Sequence, residues 1–408
     1  MRGLRPRVAD ERLGRLLCPP YDVIDAATRA RLLAADPDNA VAVILPDPTP
    51  AGYAHAAQLL GEWVETGIYA PDDVAALYVY EMRDGLGRAT RGLLGAVELR
   101  GAEDGVILPH ENTMAGPVAD RLEVMTQTGA DLEPIYLVYD GGGPASQLVR
   151  AVSTSAPAAQ ATTPDGVTHR LWIVTDPDEH ARVATDLATR RALIADGHHR
   201  YATYRERQRL RRESDGAGPW DRGLALLVDS TDYGPQVHAI HRVIPGMPLE
   251  HAVGRLDGIA HVERCAATPP EQALQALDQR SGFAAVLTDG STIVVVTDPD
   301  GTLARSAARP DALEALTALD VTVVHRGLVE GAWQVVDDVE TVHYAHAVDE
   351  AIRDAKARDG FAILLRPTPV AAVAAVAAAG ARMPRKSTLF TPKPASGLVM
   401  RRIADQPA

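Results

Sequence analysis

The chain has little cysteine and no long apolar run. Cys18 and Cys265 are the two cysteines among 408 residues, and neither belongs to a Cys-x-x-Cys pair. This scarcity argues against a disulfide framework and against a zinc knuckle. The longest apolar run, residues 370–379, is too short to span a bilayer, and the basic N-terminus does not lead into the apolar segment of a signal peptide. We therefore expect a cytoplasmic protein without a membrane partner.

Positive charge and aromatic residues are also scarce. Lys and Arg number 41 against 54 Asp and Glu, which gives a formal net charge of −13 at pH 7. A chain with this excess of negative charge repels nucleic acid on average. Aromatic residues make up 4% of the sequence and are not interleaved with basic ones, as they are in single-strand binders. We therefore expect no nucleic-acid partner, whereas a small anionic ligand needs only a local basic pocket.

Length and patterning predict more than one domain. A chain of 408 residues, 46% of them apolar and 23% charged, is too long for one ordinary hydrophobic core. Helical and extended patterns alternate along it, which predicts a mixed α/β (α+β) fold. We expect an N-terminal α/β elaboration in residues 1–104, a core in residues 105–215 and a second α/β lobe in residues 216–408.

The most informative segment, residues 194–201, reads as an apolar strand, a glycine turn and the start of a basic helix. The glycine lets the backbone approach an anion, and the N–H groups at a helix start point toward it. His198, His199 and Arg200 would add donors and positive charge, and Asp196 could hold a divalent cation against the same phosphates. The pattern predicts a phosphate site. The alternative is that Asp196 caps the helix and that the histidines are surface residues.

Further patterns precede this turn in a fixed order. They are the segment 108–113, which contains His110 and Glu111, then Asp120-Arg121 on a predicted helix, then Pro134-Ile135 at the start of a predicted strand. Together with the Asp-Gly-His-His-Arg turn, this order resembles the core of the ParB/sulfiredoxin-like superfamily, and in particular its free-serine kinases.

Over its whole length the chain is similar to a larger family, catalogued as domain of unknown function 1015. The hallmarks that carry this similarity are Cys18-Pro19-Pro20-Tyr21-Asp22-Val23, Pro109-His110-Glu111, Asp120-Arg121-Leu122, residues 196–201, Lys386-Ser387-Thr388 and Pro392-Lys393. Such scattered matches are far more specific than a single motif. The chain differs from many relatives in placing Asn112 and Val118 where those have lysines.

The resemblance implies a ParB/sulfiredoxin-like nucleotide-binding core. It also implies an ATP- or ADP-dependent phosphotransferase of small molecules, with free L-serine giving O-phosphoserine as the leading case. Glu111 would match the glutamate that acts as base on the substrate hydroxyl. The phosphate-binding loop would be formed by Gly197, His198, His199 and Arg200.

Phosphoryl transfer makes these assignments chemically reasonable. The reaction needs cations around the transferring group, a metal ion that bridges the phosphates and a carboxylate that aligns the attacking hydroxyl. Asp196 would bind Mg²⁺ or Mn²⁺ shared with ATP or ADP, because the cysteines and histidines form no other obvious metal site. We assign catalytic roles to Glu111, Asp196 and His199. For Glu111 the alternative is a helix-capping or surface carboxylate.

Residues from both ends of the chain complete the predicted site. Lys386 and Lys393 lie in a basic segment between prolines and could reach the phosphates as point charges. Alternatively, this segment is an exposed basic loop. The residues that we assign to the acceptor substrate are Tyr21, Asp22, His110, Thr113 and Arg121. A Pro-rich structural turn at residues 18–22 and an Asp120–Arg121 ion pair are the competing interpretations.

These observations predict a cytoplasmic small-molecule kinase whose partners are a nucleotide and a hydroxyl metabolite. The alternative, from another class, is a regulatory or interaction module that binds a nucleoside triphosphate at the same turn and changes conformation without transferring phosphate. Phosphorylated product in the presence of ATP and Mg²⁺ would distinguish the kinase from the module.

Overall fold

A computed structural model describes residues 1–265, 268–308, 313–338 and 340–407. The chain divides into two compact units, of which unit 1 is Met1–Pro235 with Pro392–Ala408 and unit 2 is Gln236–Thr391. Strands and helices alternate in both, so the expected mixed α/β fold is confirmed. Among the described residues, none of the helices combines the length and the apolar character needed to cross a membrane.

In chain order, the first strands are β1 (Leu4–Pro6), β2 (Tyr69–Pro71), β3 (Leu77–Arg83), β4 (Ala89–Glu98), β5 (Ile107–Leu108), β6 (Ala130–Asp131), β7 (Ile135–Tyr139), β8 (Ala159–Thr162), β9 (Thr168–Val174) and β10 (Ala192–Asp196). The strands that follow are β11 (Arg222–Asp229), β12 (Gln236–His238), β13 (His241–Ile244), β14 (His261–Cys265), β15 (Ala284–Thr288), β16 (Ile293–Thr297), β17 (His343–Ala345), β18 (Phe361–Leu364), β19 (Leu389–Thr391) and β20 (Arg401–Arg402).

The first α-helices are α1 (Asp10–Leu16), α2 (Ala26–Ala35), α3 (Val41–Ile44), α4 (Pro50–Glu65), α5 (Ala115–Thr128), α6 (Gly143–Val152), α7 (Pro177–Leu187) and α8 (His198–Asp215). The later ones are α9 (Leu249–Gly254), α10 (Pro270–Ala276), α11 (Thr302–Ala307), α12 (Glu314–Thr317), α13 (Asp320–Thr322), α14 (Val348–Ala357) and α15 (Val370–Ala378). Short 3₁₀ helices lie at Tyr21–Val23, Ala102–Asp104, Pro219–Asp221, Leu277–Gln279 and Ile403–Asp405, and Val323–Ala332 is a π-helix.

Unit 1 is organised around one mixed sheet. Within the described part of the chain, eight strands pair in the order β5-β10-β7-β11-β4-β3-β9-β8. All five residues of β7 are buried, as expected for a strand whose side chains are largely apolar on both faces. Helix α5 packs against both α4 and α8.

The units divide the chain differently from the expected limits at residues 104 and 215. β3 and β4, from the expected N-terminal elaboration, lie in the same sheet as β7 and β10. Residues 392–408 rejoin unit 1, where β20 pairs with β6. The reason is that sheet pairing joins segments that are far apart in sequence, which composition along the chain does not reveal.

One pair of strands determines where the site forms. β5 and β10 are parallel neighbours, with Ala192 opposite Ile107 and Leu193 opposite Leu108. The carboxyl ends of parallel neighbours lie at the same edge of a sheet. The loop after β5, which carries Glu111, and the turn after β10, at Gly197, therefore begin side by side.

Unit 2 contains a separate antiparallel sheet. Within the described residues, six strands pair in the order β14-β16-β15-β18-β13-β17, and β12 pairs with β19 outside this sheet. The core of the unit is formed by buried side chains of the central strands together with alanines of α14.

A buried polar group links the sheet of unit 1 to the returning C-terminal segment. The Tyr80 hydroxyl lies 2.8 Å from His169 Nδ1, and His169 Nε2 lies 3.0 Å from the Thr163 hydroxyl. The backbone N–H of Ala395 donates to the same Tyr80 oxygen at 3.0 Å. Burial lowers the pKa of His169 to about 4, so the imidazole is neutral at neutral pH.

We predict that His169 makes the protein less stable in mild acid. A base whose pKa is lowered on folding binds fewer protons in the folded state, so stability falls as the pH decreases from 6.5 toward 4. From about pH 7 to about pH 5, this group should lower the free energy of unfolding by about 2 kcal/mol. Denaturant unfolding at both pH values measures the loss. The variant His169→Gln cannot titrate and should lose about 2 kcal/mol less, and an equal loss in both proteins would contradict the prediction.

Candidate functional site

The turn that follows β10 is the centre of the site. β10 ends at Asp196 and α8 begins at His198, with Gly197 between them in a left-handed conformation at a φ of +91°. A Cβ atom on Gly197 would lie 3.1 Å from Cζ and Nε of Arg200. Any other residue would be strained at this φ and would also press on the guanidinium. Strand, turn and helix lie where the sequence pattern predicts them.

Arg200 points into the protein. Its side chain is 2% exposed, and its guanidinium pairs with the Asp196 carboxylate and donates to the Pro134 carbonyl. Burial alone would lower the pKa of Arg200, but the charges of Glu133, Asp196 and Asp22 outweigh burial and raise it. Arg200 therefore stabilises the turn from inside, and its predicted contact with a bound phosphate stays a prediction.

Lys393 brings a second cation to the turn from the C-terminal segment. Its Nζ lies 2.6 Å from Asp196 Oδ1 and 3.4 Å from Asp22 Oδ2, and its side chain is 17% exposed. Burial lowers the pKa of Lys393, but the charges of the two carboxylates more than compensate and raise it. The side chain is therefore an ammonium at neutral pH, next to the glycine turn.

These contacts bear on the predicted metal site at Asp196. One carboxylate oxygen faces Arg200 and the other faces Lys393. Mg²⁺ requires oxygen ligands in near-octahedral geometry and does not share them readily with two cations. Within the residues that the structure describes, no group of three His, Cys, Asp or Glu side chains is arranged to hold a metal ion. In this arrangement, Asp196 does not fit the role of a metal ligand.

Tyr21 and Asp22 are neighbours in the segment that supplies the second carboxylate to Lys393. They lie in the 3₁₀ helix Tyr21–Val23, and the guanidinium of Arg121 covers the Tyr21 ring at 4.3 Å from its centre. Burial raises the pKa of Tyr21 to about 12, so its hydroxyl stays protonated. Asp22 is the more exposed of the two and reaches Lys393.

Glu133 is a site residue that the sequence analysis did not identify. Its Oε1 accepts hydrogen bonds from the Tyr21 N–H and from the Ser396 hydroxyl, both at 3.0 Å. Ser396 is also paired with Cys18 through backbone hydrogen bonds. Glu133 thus ties the N-terminal loop to the C-terminal segment. Its local sequence reads as a polar turn before a proline, so only its distant partners identify it.

The loop after β5 is fastened to the first residues of α8. The His110 N–H donates to His198 Nε2 at 3.2 Å, and the Met114 N–H donates to His199 Nε2 at 3.1 Å. The rings of His110 and His198 meet edge to face with their centres 4.5 Å apart. His110 and His198 are buried, whereas Glu111 is half-buried. Glu111 therefore lies in a loop that is attached to the glycine turn on both sides.

The remaining predicted residues are found in three different settings. Arg121 is 3% exposed, pairs with Asp120 and donates to the Ile44 carbonyl. These contacts match the alternative interpretation, in which Asp120 and Arg121 form an ion pair. Thr113 is exposed and lies two residues after Glu111. Lys386 is exposed and belongs to unit 2, and its role at the phosphates stays a prediction.

The chain belongs to the family described as protein of unknown function (DUF1015), whose model matches residues 1–322. A search of curated proteins finds no match.

Several solved structures are similar to this chain at low sequence identity. A mutant free serine kinase in complex with ADP is 16% identical, with a TM-score of 0.37 over 73% of this chain and 87% of that one. A conserved hypothetical protein from Pyrococcus furiosus is 17% identical, with a TM-score of 0.36 over 76% and 96% of the two chains. SbnI from Staphylococcus aureus, truncated at its C-terminus, is 10% identical, with a TM-score of 0.38 over 77% and 90%.

We predict that Gly197→Ala destabilises the protein more than an alanine at an unobstructed left-handed glycine. The control is Gly129→Ala at the end of α5, where φ is +61° and an added Cβ meets nothing within 4 Å. The control should lose about 1 kcal/mol from backbone strain alone. Gly197→Ala should lose about 1 kcal/mol more, because its Cβ presses on Arg200. Urea unfolding measures both losses, and equal values would show that the guanidinium moves away freely.

Proposed function

We propose that this member of the DUF1015 family is a small-molecule phosphotransferase that uses ATP or ADP and that its preferred acceptor is free L-serine, which it converts to O-phosphoserine. The observation that carries the proposal is the meeting of three distant segments at Gly197. They contribute an ammonium at Lys393, a tyrosine and a carboxylate at Tyr21 and Asp22, and a half-buried carboxylate at Glu111. Positioning and charge stabilisation are most of what phosphoryl transfer asks of a protein.

The phosphate side of the proposed site combines backbone and side-chain donors. The first turn of the 18-residue helix α8 presents N–H groups that lack partners within the helix, and its dipole favours an anion there. Lys393 places a cation beside this turn and retains some exposure. In the proposed complex its ammonium donates to a phosphate oxygen, which takes the place of a carboxylate partner.

The acceptor side of the proposed site centres on Glu111. As the serine hydroxyl oxygen forms its bond to the terminal phosphorus, the bond from that phosphorus to the leaving nucleotide oxygen breaks. The hydroxyl proton passes to the Glu111 carboxylate. Asp22, an exposed carboxylate, is suited to the ammonium group of a free amino acid.

The proposed donor is the Mg²⁺ complex of the nucleotide. The metal would reach the site on the phosphates, since both oxygens of Asp196 already contact cations. When bound there, Mg²⁺ reduces the negative charge of the phosphates and orients them.

We predict that Glu111→Gln lowers turnover roughly 10²–10⁴-fold, because it keeps the shape of the side chain and removes the base. Nucleotide affinity, measured by calorimetry, should change little. Formation of phosphoserine from L-serine with ATP or ADP measures turnover, alongside a panel of other hydroxyl metabolites. Glu103→Gln, at an exposed position, is the matched control.

Two results would contradict this assignment. Near-normal turnover in Glu111→Gln would place the base elsewhere, and loss of nucleotide binding would indicate a structural role. Nucleotide binding by the unmodified protein without turnover of any acceptor would instead identify the regulatory module.

We predict that Lys393 is the lysine that contacts the phosphates. The chain contains three lysines, Lys356, Lys386 and Lys393, so an acyl-phosphate derivative of the nucleotide, which acylates nearby lysines, gives a clear mass-spectrometric result. Lys393 should be labelled and should be protected by excess nucleotide. Lys393→Met should weaken nucleotide binding by about 1.5–3 kcal/mol, the value of a charge-assisted contact. Lys356→Met is the control, and unprotected or absent labelling of Lys393 would refute the contact.

A further inference from the structure

His198 and His199 use the same ring atom in the same way. In each imidazole, Nε2 accepts a hydrogen bond from a backbone N–H of the loop after β5, at 3.2 Å from His110 and at 3.1 Å from Met114. A backbone N–H can only donate, so each Nε2 must present its lone pair. Neither Nε2 can donate to a phosphate oxygen while it accepts. These contacts assign Nε2 to the loop, and the phosphate role that the sequence pattern predicts for the two histidines stays a prediction.

The two contacts bracket Glu111. They hold the loop at residues 110 and 114, one on each side of the carboxylate. A ring contact adds to the attachment: His110 is fully buried, and its ring meets that of His198 edge to face. The start of α8 thus fixes the backbone of this loop at two points, His110 and Met114.

We propose that His198 and His199 are positioning residues that hold the loop of Glu111 against the glycine turn through their Nε2 acceptors. The adjacent histidines place two acceptors at the start of one helix, where the parallel pairing of β5 and β10 brings the loop. This inference deepens the proposed function, since the loop carries the proposed base. Its first consequence, an ordered loop in the protein without nucleotide, does not depend on that function.

The test compares a substitution of His199 that keeps a hydrogen-bond acceptor with one that removes it. His199→Gln places an amide oxygen near the position of Nε2 and keeps the acceptor. His199→Leu removes it. His199 is chosen because it is less buried than His198, and His55→Leu, at an exposed position of α4, is the control for loss of a histidine.

The first measurement is hydrogen exchange of the peptide that covers residues 110–114, in the protein without nucleotide. Loss of one hydrogen bond in His199→Leu should raise exchange in this peptide roughly two- to tenfold. His199→Gln should keep the exchange of the unmodified protein, and His55→Leu should do the same.

The second measurement compares turnover with nucleotide affinity in each variant. Turnover should fall in His199→Leu and recover in His199→Gln, while the nucleotide affinity of both stays within about twofold of the unmodified protein. Unchanged exchange in His199→Leu together with weakened nucleotide binding would overturn the proposal and identify a phosphate contact. If no acceptor is phosphorylated by any of the proteins, the proposed function fails, and exchange alone decides whether the histidines hold the loop.

Discussion

The buried guanidinium of Arg200 is the interaction on which the arrangement of the site depends. A buried cation is tolerated only where anions compensate for the loss of water. Asp196 provides the direct pair, and the charges of Glu133 and Asp22 add to it. These carboxylates come from separate segments of the chain, so satisfying one guanidinium brings those segments together. The same guanidinium lies so close to Gly197 that a side chain there would press on it.

The C-terminal segment reaches this centre because it is held immediately after Lys393. Ahead of the β20 strand, which pairs with β6, the Ala395 N–H donates to Tyr80 and the Ser396 hydroxyl donates to Glu133. Pro392 and Pro394 flank the lysine and restrict the backbone on either side of it. The restricted backbone thereby positions the flexible side chain of Lys393. This explains how Lys393 can reach Asp196, which lies 197 residues earlier in the chain.

Local patterns predicted the parts of the site that local physics determines. The strand, the left-handed glycine and the helix at residues 192–215 follow from short-range rules, and the structure has all three. Glu133 and His169 could not be recognised in this way, because their roles depend on partners distant in sequence. The histidines of the turn show a different limit. Residue type revealed that they can form hydrogen bonds, but not that Nε2 would accept from a neighbouring loop.

The balance of charge at the turn constrains the ligand that the proposed chemistry can use. Asp22, Asp196 and Glu133 place three carboxylates around two cations, Arg200 and Lys393. A free nucleotide would bring further negative charge close to Asp22 and Asp196, and at short range in a partly buried site like charges repel strongly. A nucleotide whose phosphates are already neutralised in part by Mg²⁺ meets less repulsion and can still bind the ammonium of Lys393. Asp196 already has a cation at each oxygen, and the carboxylates around the turn repel a bare polyphosphate. In the proposed reaction, this balance of charge favours a donor that arrives with its metal.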